Sequence, residues 1–226
     1  MIKKNDKMII FNIILLINLI HAEEYCGTSC SYSIPEKILT VEIGWISKIQ
    51  KFDGSEVIET IKITGNTQFH STSLSEVLKQ FPSVYEVIIN SEIIPMGFVA
   101  NTKIRKITIG KDVERIEERA FENCQTLESV TFNSNSKLST INDYAFRNCI
   151  NLKEIQLPKS LEKIDFKKVF ENCKEIKIEI EEENEYYRIE NDIVYSKNES
   201  SIIYYDNKKT ESYYSMCNEI TTIEIK

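Results

Sequence analysis

Cysteines are the residues of this chain whose chemistry and spacing carry the most information. Four of the six, Cys124, Cys149, Cys173 and Cys217, recur at intervals of 25, 24 and 44 residues. Thiols at such spacings can form disulfides, ligate a metal or act as nucleophiles. A nucleophile needs a neighbouring base, and the only histidine beyond the N-terminal apolar segment is His70. Common hydrolase, metalloprotease and phosphate-binding motifs are also missing from the sequence, so we expect neither an enzyme nor a cofactor.

The recurring cysteines occupy one position of a repeated pattern. The unit around Cys124 runs from Ala120 to Phe132 as AFENCQTLESVTF, and related strings surround the other three cysteines. A unit of 24 or 25 residues cannot bury an apolar face alone, so the copies must stack on one another as a solenoid. A free cysteine packs like a small apolar residue. The pattern therefore predicts a buried ladder of free thiols, one in each coil.

Cys26 and Cys30 lie outside this pattern, in the string CGTSC. We expect them to form a disulfide with each other, which would fasten the first strands at the start of the solenoid. The alternative is a metal site, which would need two further ligands.

The residues between the apolar positions of each repeat define a candidate binding face. Successive side chains of a strand point to opposite sides, so these residues face outward, and stacking aligns them in one surface. We predict that this surface binds protein. Its candidate residues are Tyr85, Glu86, Arg105, Lys106, Thr108, Glu128, Ser129, Thr131, Lys153, Glu154, Gln156, Lys177 and Glu179.

The N-terminus predicts export from the cell. Lysines precede an apolar run from Met8 to Ile20, and Ala22 follows it, which is typical of a secretory signal peptide at residues 1–22. A membrane anchor is the alternative, but the run is shorter than the roughly 20 residues that a spanning helix needs. After cleavage we expect no membrane-spanning segment and a secreted or surface location.

The remaining chain divides into a capping region at 23–83 and a repeat solenoid at 84–226. Alternating apolar residues predict strands at 38–43 and 59–64, and Ser73 with Glu76 has the spacing of a capping box for a helix through about Phe81. Three short tyrosine-rich strands are expected in an enlarged coil at about 181–216. The last repeat, which begins at Cys217, is predicted to be truncated.

Charge disfavours nucleic acid as a partner. The net charge is −7, and an acidic run from Glu179 to Glu185 is the opposite of the basic stripe that phosphate backbones require. We interpret this run as a solvated edge, with a calcium site as the alternative. Asn198 begins the glycosylation sequon Asn-Glu-Ser and is a candidate for N-glycosylation.

The repeat resembles the BspA-like family of leucine-rich repeat surface proteins, whose units carry the pattern Ala-Phe-x-x-Cys-x-x-Leu-x-x-Ile-x-Leu. The match covers about residues 84–226, and the link from Leu157 to Ile164 is a close copy of the family's inter-strand link. The chain departs from the pattern by one deleted residue at Ile176–Ile178 and an insertion at Asp165–Lys168. The resemblance implies an α/β, β-rich leucine-rich-repeat solenoid with parallel concave-face strands and a short N-terminal β cap.

The same resemblance implies a role in recognition outside the cell, because the family contains surface antigens and adhesins. Our leading hypothesis is a non-catalytic adhesion module whose partner is an extracellular or host-surface protein. One alternative is an assembly protein that self-associates through its uncapped C-terminal repeat. Another is a truncated paralogue with no independent activity.

Overall fold

The computed structural model describes most of the chain between residues 30 and 205. The described residues are 30–33, 35–42, 55–65, 74–174, 176–191, 193–197 and, for the backbone only, 202–205. Several predictions concern residues outside these ranges and stay predictions. They are the signal peptide at 1–22, Cys26, His70, Asn198, Cys217 and the last repeat with its self-association.

The regular secondary structure of the described part consists of fifteen strands and a few very short helices. This confirms a β-rich solenoid. In chain order the strands are β1 (Cys30–Ser33), β2 (Ile38–Glu42), β3 (Thr60–Thr64), β4 (Glu86–Asn90), β5 (Ile93–Ile94), β6 (Lys106–Ile109), β7 (Arg115–Ile116), β8 (Ser129–Phe132), β9 (Thr140–Ile141), β10 (Glu154–Leu157), β11 (Lys163–Ile164), β12 (Lys177–Ile180), β13 (Tyr187–Glu190), β14 (Ile193–Ser196) and β15 (Ile202–Tyr205).

The longer strands form the main parallel sheet of the solenoid. Its order is β1-β2-β3-β4-β6-β8, and all neighbours are parallel except β1 and β2. Strands β10 and β12 continue this side as a separate two-stranded parallel sheet, with β10 lying beside β8. Because β2 and β3 belong to the same sheet as the repeat strands, residue 84 marks a change of sequence pattern and not a break in the sheet.

The strand register follows directly from the apolar spacing. Val87 pairs with Ile107, which pairs with Val130, and all three side chains are buried. The outward residues of the same strands are partly or fully exposed. A shift by one residue would exchange these two sets, so the buried column holds every strand in register.

A second parallel sheet forms another side of each coil. It consists of the two-residue strands β5, β7, β9 and β11, in spatial order β11-β9-β7-β5. The apolar pairs that precede each repeat block reach the core here, as Leu138 and Ile141 illustrate. These pairs give the described coils a second buried edge.

The third side is a tight turn that we call the turn edge; it comprises residues 96–101, 118–123, 143–148 and 167–172. Phe121, Phe146 and Phe170 stack in register here, with ring centroids 5.0 and 5.7 Å apart. An asparagine in each turn has a left-handed backbone, and the side-chain amides join neighbouring turns: Asn148 donates to Asn123 at 2.5 Å and Asn172 donates to Asn148 at 2.9 Å. Asparagine tolerates this conformation better than most residues, which explains its recurrence.

The predicted helix ends earlier than expected, and its capping box stays a prediction because Ser73 lies outside the described residues. The helix runs from Ser75 to Leu78, and its N-cap is Leu74, which makes no side-chain capping bond. The Ser75 hydroxyl donates to the carbonyl oxygen of Ala100 at 2.7 Å, so it fastens the helix to the turn edge.

The inserted residue at 165–168 is accommodated by a second single-turn helix. This helix runs from Phe166 to Val169, and the Asp165 side chain accepts a hydrogen bond from the Lys168 amide. The one-residue deletion that follows leaves the strand register intact, because Lys177 still pairs with Glu154 and Ile178 with Ile155. Both departures from the pattern are thus absorbed within one coil.

The tyrosine-rich segment forms the predicted three strands, as an antiparallel sheet in the order β13-β14-β15. Asn184, which is fully buried, joins this sheet to the solenoid. Its amide nitrogen donates to the carbonyl oxygens of Pro158 and Leu161 at 3.3 and 2.8 Å. Its amide oxygen accepts from the backbone nitrogens of Tyr186 and Tyr187, both at 2.8 Å.

Candidate protein-binding face

The outward side of the main strands carries all thirteen candidate residues, and we call it the strand face. The candidate residues lie in or next to β4, β6, β8, β10 and β12. Equivalent residues pair between neighbouring strands, so their side chains form adjacent rows. Lys106 pairs with Ser129, and Thr108 pairs with Thr131. Rows of this kind repeat at about 4.8 Å, the spacing of neighbouring strands.

Charged side chains of the strand face form ion pairs between adjacent coils. Arg105 binds both carboxylate oxygens of Glu128, with nitrogen-to-oxygen distances of 2.9 to 3.1 Å. Lys177 lies 3.4 Å from Glu154 and also contacts Glu179. The Glu179 and Glu154 carboxylates raise the pKa of Lys177 above its usual value of 10.5. Such exposed pairs add little stability, because water and salt screen them, so their main effect is to fix the positions of the charges.

Other candidate residues contact their neighbours without forming ion pairs. The Thr108 and Thr131 hydroxyls lie 3.2 Å apart. The Lys106 ammonium lies 6.0 Å from the centroid of the Tyr85 ring. Glu86 accepts a hydrogen bond from the Thr60 hydroxyl at 3.1 Å. The face therefore mixes charged, hydroxyl and aromatic groups, which is the composition of the polar part of a protein interface.

The charge of the candidate set is balanced, unlike that of the whole chain. Four of the thirteen residues are basic and four are acidic, whereas the chain carries a net charge of −7. Recognition of a phosphate backbone needs an excess of basic groups, so this balance, like the net charge, disfavours nucleic acid as a partner.

Two further charged residues belong to the strand face but escaped the sequence analysis. Lys37 and Glu59 form an ion pair at 2.5 Å, and the Lys37 carbonyl accepts the Glu59 amide just as the Arg105 carbonyl accepts the Glu128 amide. The repeat spacing does not reach this part of the chain. Only the pairing of β2 with β3 shows that these residues are equivalent to the later ones.

The predicted buried thiol ladder is confirmed for Cys124 and Cys149, whereas Cys173 holds the same position but is only partly buried. Cys124, Cys149 and Cys173 are free, and each thiol donates to a carbonyl oxygen of the preceding coil at 3.0 to 3.3 Å. Burial raises the pKa of all three, that of Cys173 to about 11. Cys30 is bonded in a disulfide whose partner lies outside the described residues, so its pairing with Cys26 stays a prediction.

We predict that the three ladder thiols resist alkylation in the folded chain. Iodoacetamide reacts with the thiolate, and a rise of the Cys173 pKa from 9.0 to about 11 lowers the thiolate fraction near pH 8 about 100-fold. Peptide mapping after timed labelling, with and without urea, gives the rate at each cysteine. Equal rates in the two conditions would contradict the buried ladder.

No cluster of metal-ligating side chains occurs among the described residues. In the acidic run, Glu181 accepts the backbone amide of Lys159 at 2.9 Å, and Glu183 lies 3.7 Å from the Lys159 ammonium. These contacts favour the solvated edge over the calcium site. Within the same described ranges, no helix is long and apolar enough to cross a membrane.

Comparisons with known proteins agree with this architecture. Residues 92–224 match the model of the BspA-type leucine-rich repeat region, with six copies. The solved structure of the pneumococcal vaccine antigen PcpA is similar, with 24% sequence identity and a TM-score of 0.51 over 67% of this chain and 37% of PcpA. A leucine-rich repeat protein from Eubacterium ventriosum has 18% identity and a TM-score of 0.44 over 72% of this chain and 44% of its own.

This chain thus spans less than half the length of either solved protein. No curated protein matches it. The likeness to PcpA shows a shared fold, and the six repeat copies extend over more than half of the sequence. The chain belongs to the family of BspA-type leucine-rich repeat proteins.

Proposed function

We propose that this protein is a non-catalytic binding module that acts outside the cell and recognises another protein through its strand face. The observation that carries the proposal is the alignment of exposed polar side chains across successive parallel strands. A rigid sheet holds these groups at fixed spacing, so a folded partner can meet many of them without ordering a flexible loop. Fixed ion pairs such as Arg105 with Glu128 give the partner a defined pattern of charge.

Export and surface location are part of the same proposal. They are supported by the apolar N-terminal segment, by the family membership and by the shared fold with a vaccine antigen. Fractionation of tagged native protein into surface, medium and cytoplasmic pools tests them. Recovery in the surface or medium pool is expected, and retention in the cytoplasm would contradict export.

The binding test compares two double substitutions of equal charge change. Lys106→Glu with Lys153→Glu alters two exposed lysines of the strand face, and Lys163→Glu with Lys167→Glu alters two exposed lysines elsewhere. Fluorescently labelled chains are titrated onto animal cells and immobilised extracellular matrix proteins. We expect saturable binding by the unmodified chain and by the control variant, with about a tenfold weaker affinity for the strand-face variant. Equal binding by all three chains would exclude the strand face as the binding surface.

A further inference from the structure

The turn edge contains a cleft that none of the preceding functions uses. Its volume is about 390 Å³, and it lies between the short helix at 75–78 and the first turns of the solenoid. Pockets that hold small ligands or single side chains begin at roughly this size. The residues that line it are Ser75, Glu76, Lys79, Met96, Gly97, Ala100, Asn101, Arg119 and Glu122.

The cleft exists because one coil carries small residues where the next coils carry long ones. Gly97, Arg119 and Tyr144 are equivalent, since all three have a left-handed backbone, with φ of 62°, 57° and 62°. A Cβ atom on Gly97 would meet nothing within 4 Å. The arginine and the tyrosine at the equivalent positions show that the turn itself does not require glycine here.

Ala100 forms the rest of the cleft floor, and it too is smaller than the residues at the equivalent position of other coils. It precedes the left-handed Asn101, as Glu122, Arg147 and Glu171 precede the left-handed asparagines of the following coils. Equivalent hydrogen bonds confirm the alignment, because the Asn101 amide donates to the Glu122 carbonyl and the next turn repeats this bond. A long side chain is thus compatible with this position in three other coils.

Two arginines contact one tyrosine ring on the turn edge, and one of these arginines also lines the cleft. The Arg119 guanidinium lies 5.4 Å from the centroid of the Tyr144 ring, and the Arg147 guanidinium lies 5.3 Å from the same centroid. Arg119 also lines the cleft, one coil away from the open space above Gly97. With coils about 4.8 Å apart, a ring placed above Gly97 would meet Arg119 as Tyr144 does from the other side.

The cleft walls favour an uncharged ring over an ion. Two basic side chains, Lys79 and Arg119, are balanced by two acidic ones, and Lys79 pairs with Glu76 at 2.6 Å. Met96 stands at the rim with 58% of its surface exposed, and it is one of two large apolar side chains exposed among the described residues. A thioether makes favourable contacts with aromatic rings.

We propose that this cleft is a second recognition site, which binds an aromatic side chain of a protein partner. The ring would stack on the Arg119 guanidinium and contact the Met96 sulfur above the Gly97–Ala100 floor. Because the site lies on the turn edge and the proposed function uses the strand face, either can fail without the other.

The first test uses N-acetyltryptophanamide as the probe and nuclear magnetic resonance of the full chain as the readout. We expect saturable shifts at the Met96 methyl group and at the Gly97 and Ala100 amides, and much weaker shifts with N-acetylleucinamide. Ala100→Glu should remove the response, because it adds the side chain that the next coil already carries. Arg119→Lys keeps the charge but loses the planar group, and it should weaken binding about threefold.

Several results would overturn the proposal. They are no shifts at the cleft, equal shifts in Ala100→Glu, or equal binding of the leucine probe.

The second test examines the protein partner with random peptides displayed on phage. Peptides that bind the unmodified chain but not Ala100→Glu should share a tryptophan, tyrosine or phenylalanine. Enrichment of peptides without an aromatic residue would contradict the proposal, and so would a failure to enrich any peptide that distinguishes the two chains.

Discussion

Phe146→Ala is expected to lower the free energy of unfolding by about 3 to 5 kcal/mol. The Phe146 ring is fully buried and stacks between Phe121 and Phe170. Its removal leaves a cavity in the centre of the turn edge that a repeat of fixed geometry cannot close. Urea unfolding followed by circular dichroism gives the change.

A matched control is Phe132→Ala, which makes the same chemical change at a partly exposed position at the end of β8. We expect a clearly smaller loss there, because less apolar surface leaves water when the chain folds. Equal losses for the two variants would show that the phenylalanine stack is not a principal source of stability.

Asn184→Asp should have the other large effect, a loss of roughly 3 kcal/mol or more at neutral pH. The substitution keeps the size of the side chain but removes the donor that binds the carbonyls of Pro158 and Leu161. It also places a carboxylate against two carbonyl oxygens in a fully buried site. We expect the sheet of β13 to β15 to separate from the solenoid first, which hydrogen exchange of its amides would detect.

Asn151→Asp supplies the comparison for this prediction. The Asn151 amide also donates to a backbone carbonyl, that of Gln125 at 2.7 Å, but the side chain is exposed. Water can solvate a carboxylate there, so the cost should stay below about 1 kcal/mol. If the two variants lose similar stability, Asn184 does not have the joining role described above.

The sequence predicted the repeat-bearing part of the fold well, for a physical reason. Strand register depends on which residues can be buried, and the spacing of Leu127, Val130 and their equivalents leaves one solution. The cysteine ladder followed from the same spacing, since a residue at a fixed repeat position meets the same surroundings in every coil. Local spacing therefore sufficed wherever each coil repeats its neighbour.

Sequence reasoning failed where contacts between different elements decide the structure. The Ser75 hydroxyl binds the Ala100 carbonyl, a contact 25 residues away that no capping motif indicates. Strands β2 and β3 join the main sheet although their sequences lack the repeat, so Lys37 and Glu59 were missed. The cleft was also missed, because its signal is the small size of Gly97 and Ala100 relative to equivalent residues.

The most direct test of binding through the strand face is exchange of its central ion pair. Arg105→Glu and Glu128→Arg together restore an ion pair of opposite direction at the site where the native pair lies 2.9 to 3.1 Å apart. We predict that the double variant unfolds at the same urea concentration as the unmodified chain, yet binds the animal cells or matrix proteins of the binding test about tenfold more weakly. Unchanged binding by this folded double variant would contradict recognition through the strand face.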